Sequence, residues 1–280
     1  MKRIVRIVVL ASLVTAAPLF AQQGSIDVKK GATFSYTTDT KMDIVQSFQG
    51  QEVKMVSTTN GTMELAAKNV TPNSIDWSYA IKKLRVTMKA AMLPGGGTDT
   101  TMKGTTLMFS TDKAGRISNP EKLAADPMLA AVGGGMQGST LGQMFSPTLS
   151  RSLTVGQSWE ESTSDTIANP ALQGAKILLT KTTRYTYEGT VDTLKTKAAR
   201  VRVEVTSMTM GGEGSMGGMN FRMDGDGSSL GSGYYSAADG LLLASSADMT
   251  MNMRIVTTGQ MEMVIPMTYV LKSTTMRTGK

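Results

Sequence analysis

With 280 residues, 40% of them hydrophobic, the chain is long enough to bury a substantial core. Cysteine and histidine are both absent, which excludes disulfides, thiolate nucleophiles, imidazole general bases and nearly every structural zinc site. The formal net charge is +7, of which Lys2, Arg3 and Arg6 belong to a leader; the small excess that remains favours solubility and weak attraction to anionic surfaces, not nucleic-acid binding.

Residues 1–21 combine that basic start with an apolar run from Ile7 to Ala17, the helix breaker Pro18, and Ala21 ahead of Gln22. This is the pattern of a secretory signal peptide cleaved between Ala21 and Gln22, although Leu19 is large for the third position before the cut. The run is shorter than the ~20 residues a spanning helix needs, so no transmembrane anchor is expected in the mature chain. No Cys follows it, which excludes lipoprotein-type acylation. The mature protein is expected in the periplasm or outside the cell.

In the first half, 22–118, Phe34 and Tyr36, then Met42, Ile44 and Phe48, share one parity, while Lys41, Asp43 and Ser47 take the other. This is a half-buried strand, and Gly50-Gln51 turns it into a return strand carrying Val53, Met55, Met63 and Leu65. After the turn Thr71-Pro-Asn-Ser74, the residues Ile75, Trp77, Tyr79 and Ile81 alternate until Lys82-Lys83, where the apolar parity moves to Leu84, Val86 and Met88. A one-residue shift of that kind predicts a β-bulge and a bent strand. Leu93-Pro-Gly-Gly-Gly97 ends the strand, and Thr101 to Thr111 is extended again before the turn Asp112-Lys-Ala-Gly115.

The connector, 119–152, carries the helix-start signals Asn119-Pro120 and Asp126-Pro127. They predict short helices over Glu121–Ala125 and Met128–Val132, with a further turn or short helix within Ser139–Phe145. Such a segment either plugs or lines a curved sheet or runs over the surface as a linker.

In the second half, 153–280, strands are predicted over Ile177–Gly189, Ala198–Met210, Met219–Asp224, Ser228–Ser236, Leu241–Val256 and Gln260–Ser273. The last two place Met249, Met251, Met253, Ile255, Met261, Met263, Ile265, Met267, Tyr269 and Leu271 on odd positions. A turn at Thr257-Thr-Gly259 pairs Met253 with Met263 and Met251 with Ile265, giving one Met-rich face, and Pro266 on the polar parity suits an edge strand. The two halves echo each other. Gly31-Ala-Thr-Phe34 returns as Gly156-Gln-Ser-Trp159, and the turn ending at Gly115 returns at Gly240, both 125 positions later. The expected fold is therefore mainly β: a strongly curved antiparallel sheet, partial barrel or sandwich, from two related halves forming one unit, with short helices between them.

The 23 methionines, set against 5% aromatic residues, are the most conspicuous feature. Flexible, polarizable Met suits either an ordinary core or a deformable surface for varied apolar partners. Under the second reading Met249, Met251, Met253, Met261, Met263 and Met267 line a site for a lipid or similar apolar molecule. Thioethers also suit Cu(I), and Met249, Met251 and Met253, or Met208 with Met210, alternate on one strand face at about 7 Å.

Other motifs are weaker. Gly212-Glu-Gly-Ser-Met-Gly217 fits G-x-G-x-x-G but precedes no helix and reads as a hairpin loop. Asp224-Gly-Asp-Gly-Ser-Ser229 begins like a calcium loop but lacks the sixth-position Gly and twelfth-position Glu, and reads as a β-turn. Ser110-Thr-Asp-Lys113 enters a turn, not a helix. Lys195, Lys197, Arg200 and Arg202 read as a solvated face. Glu160 and Glu161 point to opposite sides of a strand and cannot act as a pair. No cofactor, catalytic set or firm metal site follows.

The leader, Val28-x-x-Gly31-x-x-Phe34, the Asp112-x-x-Gly115 turn with Ile117 after it, and Val155-Gly-Gln-Ser-Trp159 together resemble a family of uncharacterised exported bacterial β-rich proteins. The architecture is also similar to that of periplasmic lipoprotein carriers, whose half-barrels hold acyl chains against a helical lid. These resemblances imply a non-enzymatic envelope protein. Its partner is either an apolar small molecule such as a lipid or another envelope component.

Overall fold

A computed structural model describes residues 24–48, 50–90, 97–119, 141–149, 151–168, 176–216, 219–258 and 262–279. Period-two alternation builds its elements. In β1 (Thr33–Phe48) the residues Phe34, Tyr36 and Ile44 are buried while Asp39 and Lys41 are exposed, so one face of the strand is apolar and the other polar. The same division runs through β2 (Gln51–Val70), β3 (Ser74–Ala90), β5 (Thr105–Asp112), β7 (Lys176–Thr193), β8 (Thr196–Met216), β9 (Met219–Ser236), β10 (Leu242–Thr258) and β11 (Met263–Arg277), while the described residues of β4 (Gly97–Met102) and β6 (Ser158–Ala168) are almost all exposed.

The strands form one antiparallel sheet in the order β4-β3-β2-β1-β11-β10-β9-β8-β7-β6, with β5 also on β3, and the sheet does not close into a barrel. β4 pairs with Leu84–Lys89 and β5 with Ser74–Ile81, so the two lie end to end along β3. Two pairs of strand starts and two pairs of turn glycines lie 125 residues apart. β1 and β6 start at Thr33 and Ser158, β2 and β7 at Gln51 and Lys176, and Gly31/Gly156 and Gly115/Gly240 all hold positive φ. On that offset β4 and β5 together stand where the single strand β9 stands, and the β10–β11 hairpin is set between the two runs.

One hydrophobic cluster shows how far the sheet bends. It joins Phe34, Leu65, Trp77, Tyr79 and Phe109 on one side of the strand order to Val201, Tyr235 and Leu242 on the other. Residues so distant in the order meet only if the apolar face is concave. The residues Leu141, Met144, Phe145 and Leu149, with Ile26, fill the space between them and are all at most 7% exposed. Phe145 packs 5.5 Å from Trp77 and edge-on to Phe109 at 6.3 Å. Backbone bonds anchor this plug: Ser146 N–H donates to Gly240 O and Leu242 N–H to Met144 O, each at 2.9 Å. Leu141 and Gly142 are helical and Gln143 and Met144 form a turn, as the sequence predicts for that stretch; helices over 121–125 and 128–132 lie outside the described residues.

Other expectations are met or corrected. The parity switch at Lys82-Lys83 is a bulge: Met63 faces Ile81 and Thr62 faces Lys83, which leaves Lys82 as the extra residue. The last hairpin has the expected face but a different register. Met253 pairs with Met267, Met251 with Tyr269 and Ile255 with Ile265, because the connection is longer than Thr257–Gly259 and β10 runs on to Thr258. The slip is even, so every side chain keeps its side. Pro266 is not on an edge strand, since β11 lies between β10 and β1. It sits one residue beyond Gln46↔Met267, where the β1 ladder stops, so only one flank of the strand is paired there. The expected turn at Asp224–Ser229 is strand: β9 is continuous and Gly225 and Gly227 are paired on both sides. Likewise 212–216 continues β8 and is not loop.

Candidate ligand-binding surface

Register assembles the concave face row by row. One row reads Lys181, Met208, Gly227, Met251, Tyr269, Ile44 and Met55 across β7, β8, β9, β10, β11, β1 and β2. The next row outward contains Leu179, Met210, Gly225, Met253, Met267 and Gln46. A second hydrophobic cluster, separate from the plugged end, holds Ile177, Leu179, Met208, Phe221, Met223 and Met251, with Val205, Met210, Met249, Met253, Ile255 and Tyr269 packed against it.

Of the methionines expected at a site, Met251 is buried, while Met249, Met253, Met263 and Met267 are half-buried; Met261 lies outside the described residues, as do Ala21 and Gln22. The structure brings Met249, Met251 and Met253 together with Met208, Met210 and Met223 from β8 and β9. Met263 lies at the far end of the same face, opposite Thr257. The Tyr269 hydroxyl donates to Met267 Sδ at 3.6 Å and orients that thioether.

The missed contributors were the glycines of β9. Gly225, Gly227, Gly231 and Gly233 have the parity of Phe221, Met223 and Tyr235, the signal that would have placed them on the concave face. Their missing side chains are occupied by neighbours. The Met208 methyl lies 2.6 Å from where a β-carbon on Gly227 would stand, and the Tyr235 ring covers Gly233 at the same distance.

Packed against the first cluster, Trp159 and Tyr185 stack at 5.3 Å, with the Arg151 guanidinium 4.9 Å from the Trp159 ring centre and bonded to Glu161 at 2.9 Å. Burial, with Glu161 adding and Arg151 opposing, pushes the Tyr185 phenol up to about 12. Glu160 instead pairs with Arg184 at 2.8 Å, so the adjacent glutamates serve different partners as their opposite faces require. Arg200 pairs with Glu188 and Arg202 with Glu204, on a solvated face.

The convex face is largely polar, with Leu178, Leu230, Val264 and Val270 exposed among its polar residues. Two shallow grooves cross it, of about 460 Å³ between Asp39, Lys41, Asn60, Asp248 and Lys272, and about 370 Å³ between Arg202, Glu204, Leu230, Asp248 and Val270. No group of three or more Asp or Glu suited to a metal occurs among the described residues. No helix among them is long and apolar enough to cross a membrane.

No protein-family profile matches the chain, and no curated protein does. Solved structures with some likeness include an outer membrane channel from Pseudomonas putida, at 8% identity and TM-score 0.26, covering 91% of this chain and 98% of the channel. Another is the Pseudomonas aeruginosa channel OccK2, at 6% identity and TM-score 0.28 over 88% and 98% of the two chains; its glucuronate complex scores 0.29 at 7% identity over 91% and 100%. At these scores the likeness carries no argument about architecture or activity.

Proposed function

We propose that the chain is an exported, non-enzymatic envelope protein that holds a hydrophobic molecule against the Met-lined concave surface. One observation carries this reading. At the plugged end Leu65, Trp77, Tyr79 and Val201 are buried, whereas in the outer rows Met210, Met253, Ile255, Met263, Ile265 and Met267 are only half-buried. Half-exposed apolar side chains rowed on one concave face are the surface an apolar guest covers, and unbranched Met adapts to its shape. The signal-like leader, the resemblance to uncharacterised exported β-rich proteins and the two-half organisation belong to the same reading. Native mass spectrometry of protein taken from its own envelope tests it. A co-purifying apolar molecule that Met253→Asp with Met267→Asp abolishes supports the proposal. Absence of such a molecule, together with no binding of a fluorescent acyl probe, overturns it.

A second reading rests on β6, which among the described residues pairs only with β7 and so presents one flank of an eleven-residue strand for docking onto another envelope component. Cross-linking in intact cells from a residue placed on that edge distinguishes it, since a carrier alone gives no single stable protein adduct.

A further inference from the structure

We infer that the buried rung Met208–Gly227–Met251 is a thioether site for a soft monovalent metal ion, Cu(I) or its redox-inert analogue Ag(I). Thioethers alternating along one strand are poorly placed to share an ion, because consecutive same-face side chains are about 7 Å apart and project in parallel. The fold makes a different set. Met208 on β8 and Met251 on β10 both stand opposite Gly227 of β9, and the glycine contributes no side chain between them.

Strands two apart are separated by roughly 10 Å. Met208 already reaches into that gap, its methyl lying over Gly227, and Met251 borders the same spot with its Cα 3.2 Å from the glycine's β-carbon position. The pattern repeats one rung outward, where Met210 and Met253 flank Gly225.

The cluster around the two thioethers is apolar, and the nearest charged residue in the row is Lys181, the cross-strand partner of Met208. Met208 is 7% and Met251 6% exposed, among Ile177, Leu179 and Phe221. Oxygen-seeking ions find no carboxylate cluster among the described residues, and the sequence has no Cys or His to compete for a soft one. Tyr269 stands opposite Met251 in the row and packs on the cluster, placing an aromatic ring beside the proposed cation. Because thioethers carry no proton, binding releases none and is insensitive to mild acidity, unlike a thiolate or imidazole site.

The site does not rest on the apolar-ligand reading, which uses the half-buried outer rows. Met208→Leu with Met251→Leu keeps apolar volume while removing both sulfurs. The experiment titrates the mature chain with Ag(I) in chloride-free buffer, following native mass and the methyl resonances of labelled methionine. The expected result is one ion per chain, displaced Met208 and Met251 methyl signals, equal affinity at pH 5 and pH 7, and at least a hundredfold loss of Ag(I) affinity in the double Leu variant. The site is overturned if no ion is retained, if the two methyl signals stay put while an ion binds elsewhere, or if affinity falls with acidity. The methyl signals are read on the unaltered protein and decide the question even if the variant does not fold.

Discussion

The Arg277 guanidinium and the Asp239 carboxylate meet at 2.9 Å with side chains only 13% and 16% exposed, and the same guanidinium lies 5.3 Å from the centre of the Phe34 ring. This pair ties the last residue of β11 to the turn after β9 at the plugged end. Replacing Arg277 with Met leaves a largely buried carboxylate without its partner and is expected to cost about 3 kcal/mol. Arg277→Met with Asp239→Leu is expected to recover most of that loss. Urea unfolding of the three proteins checks both statements.

The register of the final hairpin is directly testable because the chain contains no cysteine. Met253 and Met267 are direct partners, so their Cα atoms fall within disulfide reach, about 4.5–5.5 Å. Met263 lies four residues further along, roughly 13 Å away. Met253→Cys with Met267→Cys is expected to cross-link on mild oxidation, and Met253→Cys with Met263→Cys is not.

Gly115 and Gly104 separate backbone strain from crowding. Both hold left-handed φ, +81° and +78°, but a β-carbon on Gly115 would stand 2.6 Å from Phe145 Cβ, whereas Gly104 has nothing within 4 Å. Gly104→Ala is expected to cost the conformational penalty alone, about 1–2 kcal/mol. Gly115→Ala adds displacement of the plug, a further 1–3 kcal/mol or so, and reddens Trp77 emission as water reaches the ring.

Stability should fall in alkali. Burial pushes the phenols of Tyr36, Tyr79 and Tyr235 well above their ordinary range and that of Tyr185 up to about 12. The unfolded chain releases these protons near pH 10 while the folded one keeps them, so the contribution is complete below pH 10 and declines as pH rises through 12. Urea midpoints at pH 9, 10 and 11 are expected to drop stepwise, and Tyr185→Phe to flatten the drop.

Alternation made the strands and their faces legible, down to the bulge at Lys82, because period two is a local property of Ile75–Met88. Register and neighbours were not local. The Met253↔Met267 pairing depends on loop length, and the interior place of Pro266 depends on β1, some 220 residues earlier. Gly225 and Gly227 read as turn signals because glycine lowers strand propensity, and only the close approach of the β10 backbone to both, with the Met208 methyl over Gly227, shows why a strand tolerates them. For the candidate surface, the sequence supplied the methionines of β10 and β11, and pairing across β9 added those of β8.

The ladder between β1 and β11 runs from Tyr36↔Arg277 to Gln46↔Met267, so the seam at the middle of the sheet joins the first and last of its described strands. A chain emerging from a ribosome or threading through a pore can assemble each meander, yet it lacks the keystone until residue 277 is free. Completion is thereby deferred until β11 is available, and a product shortened before Met263 would be left with two unjoined wings.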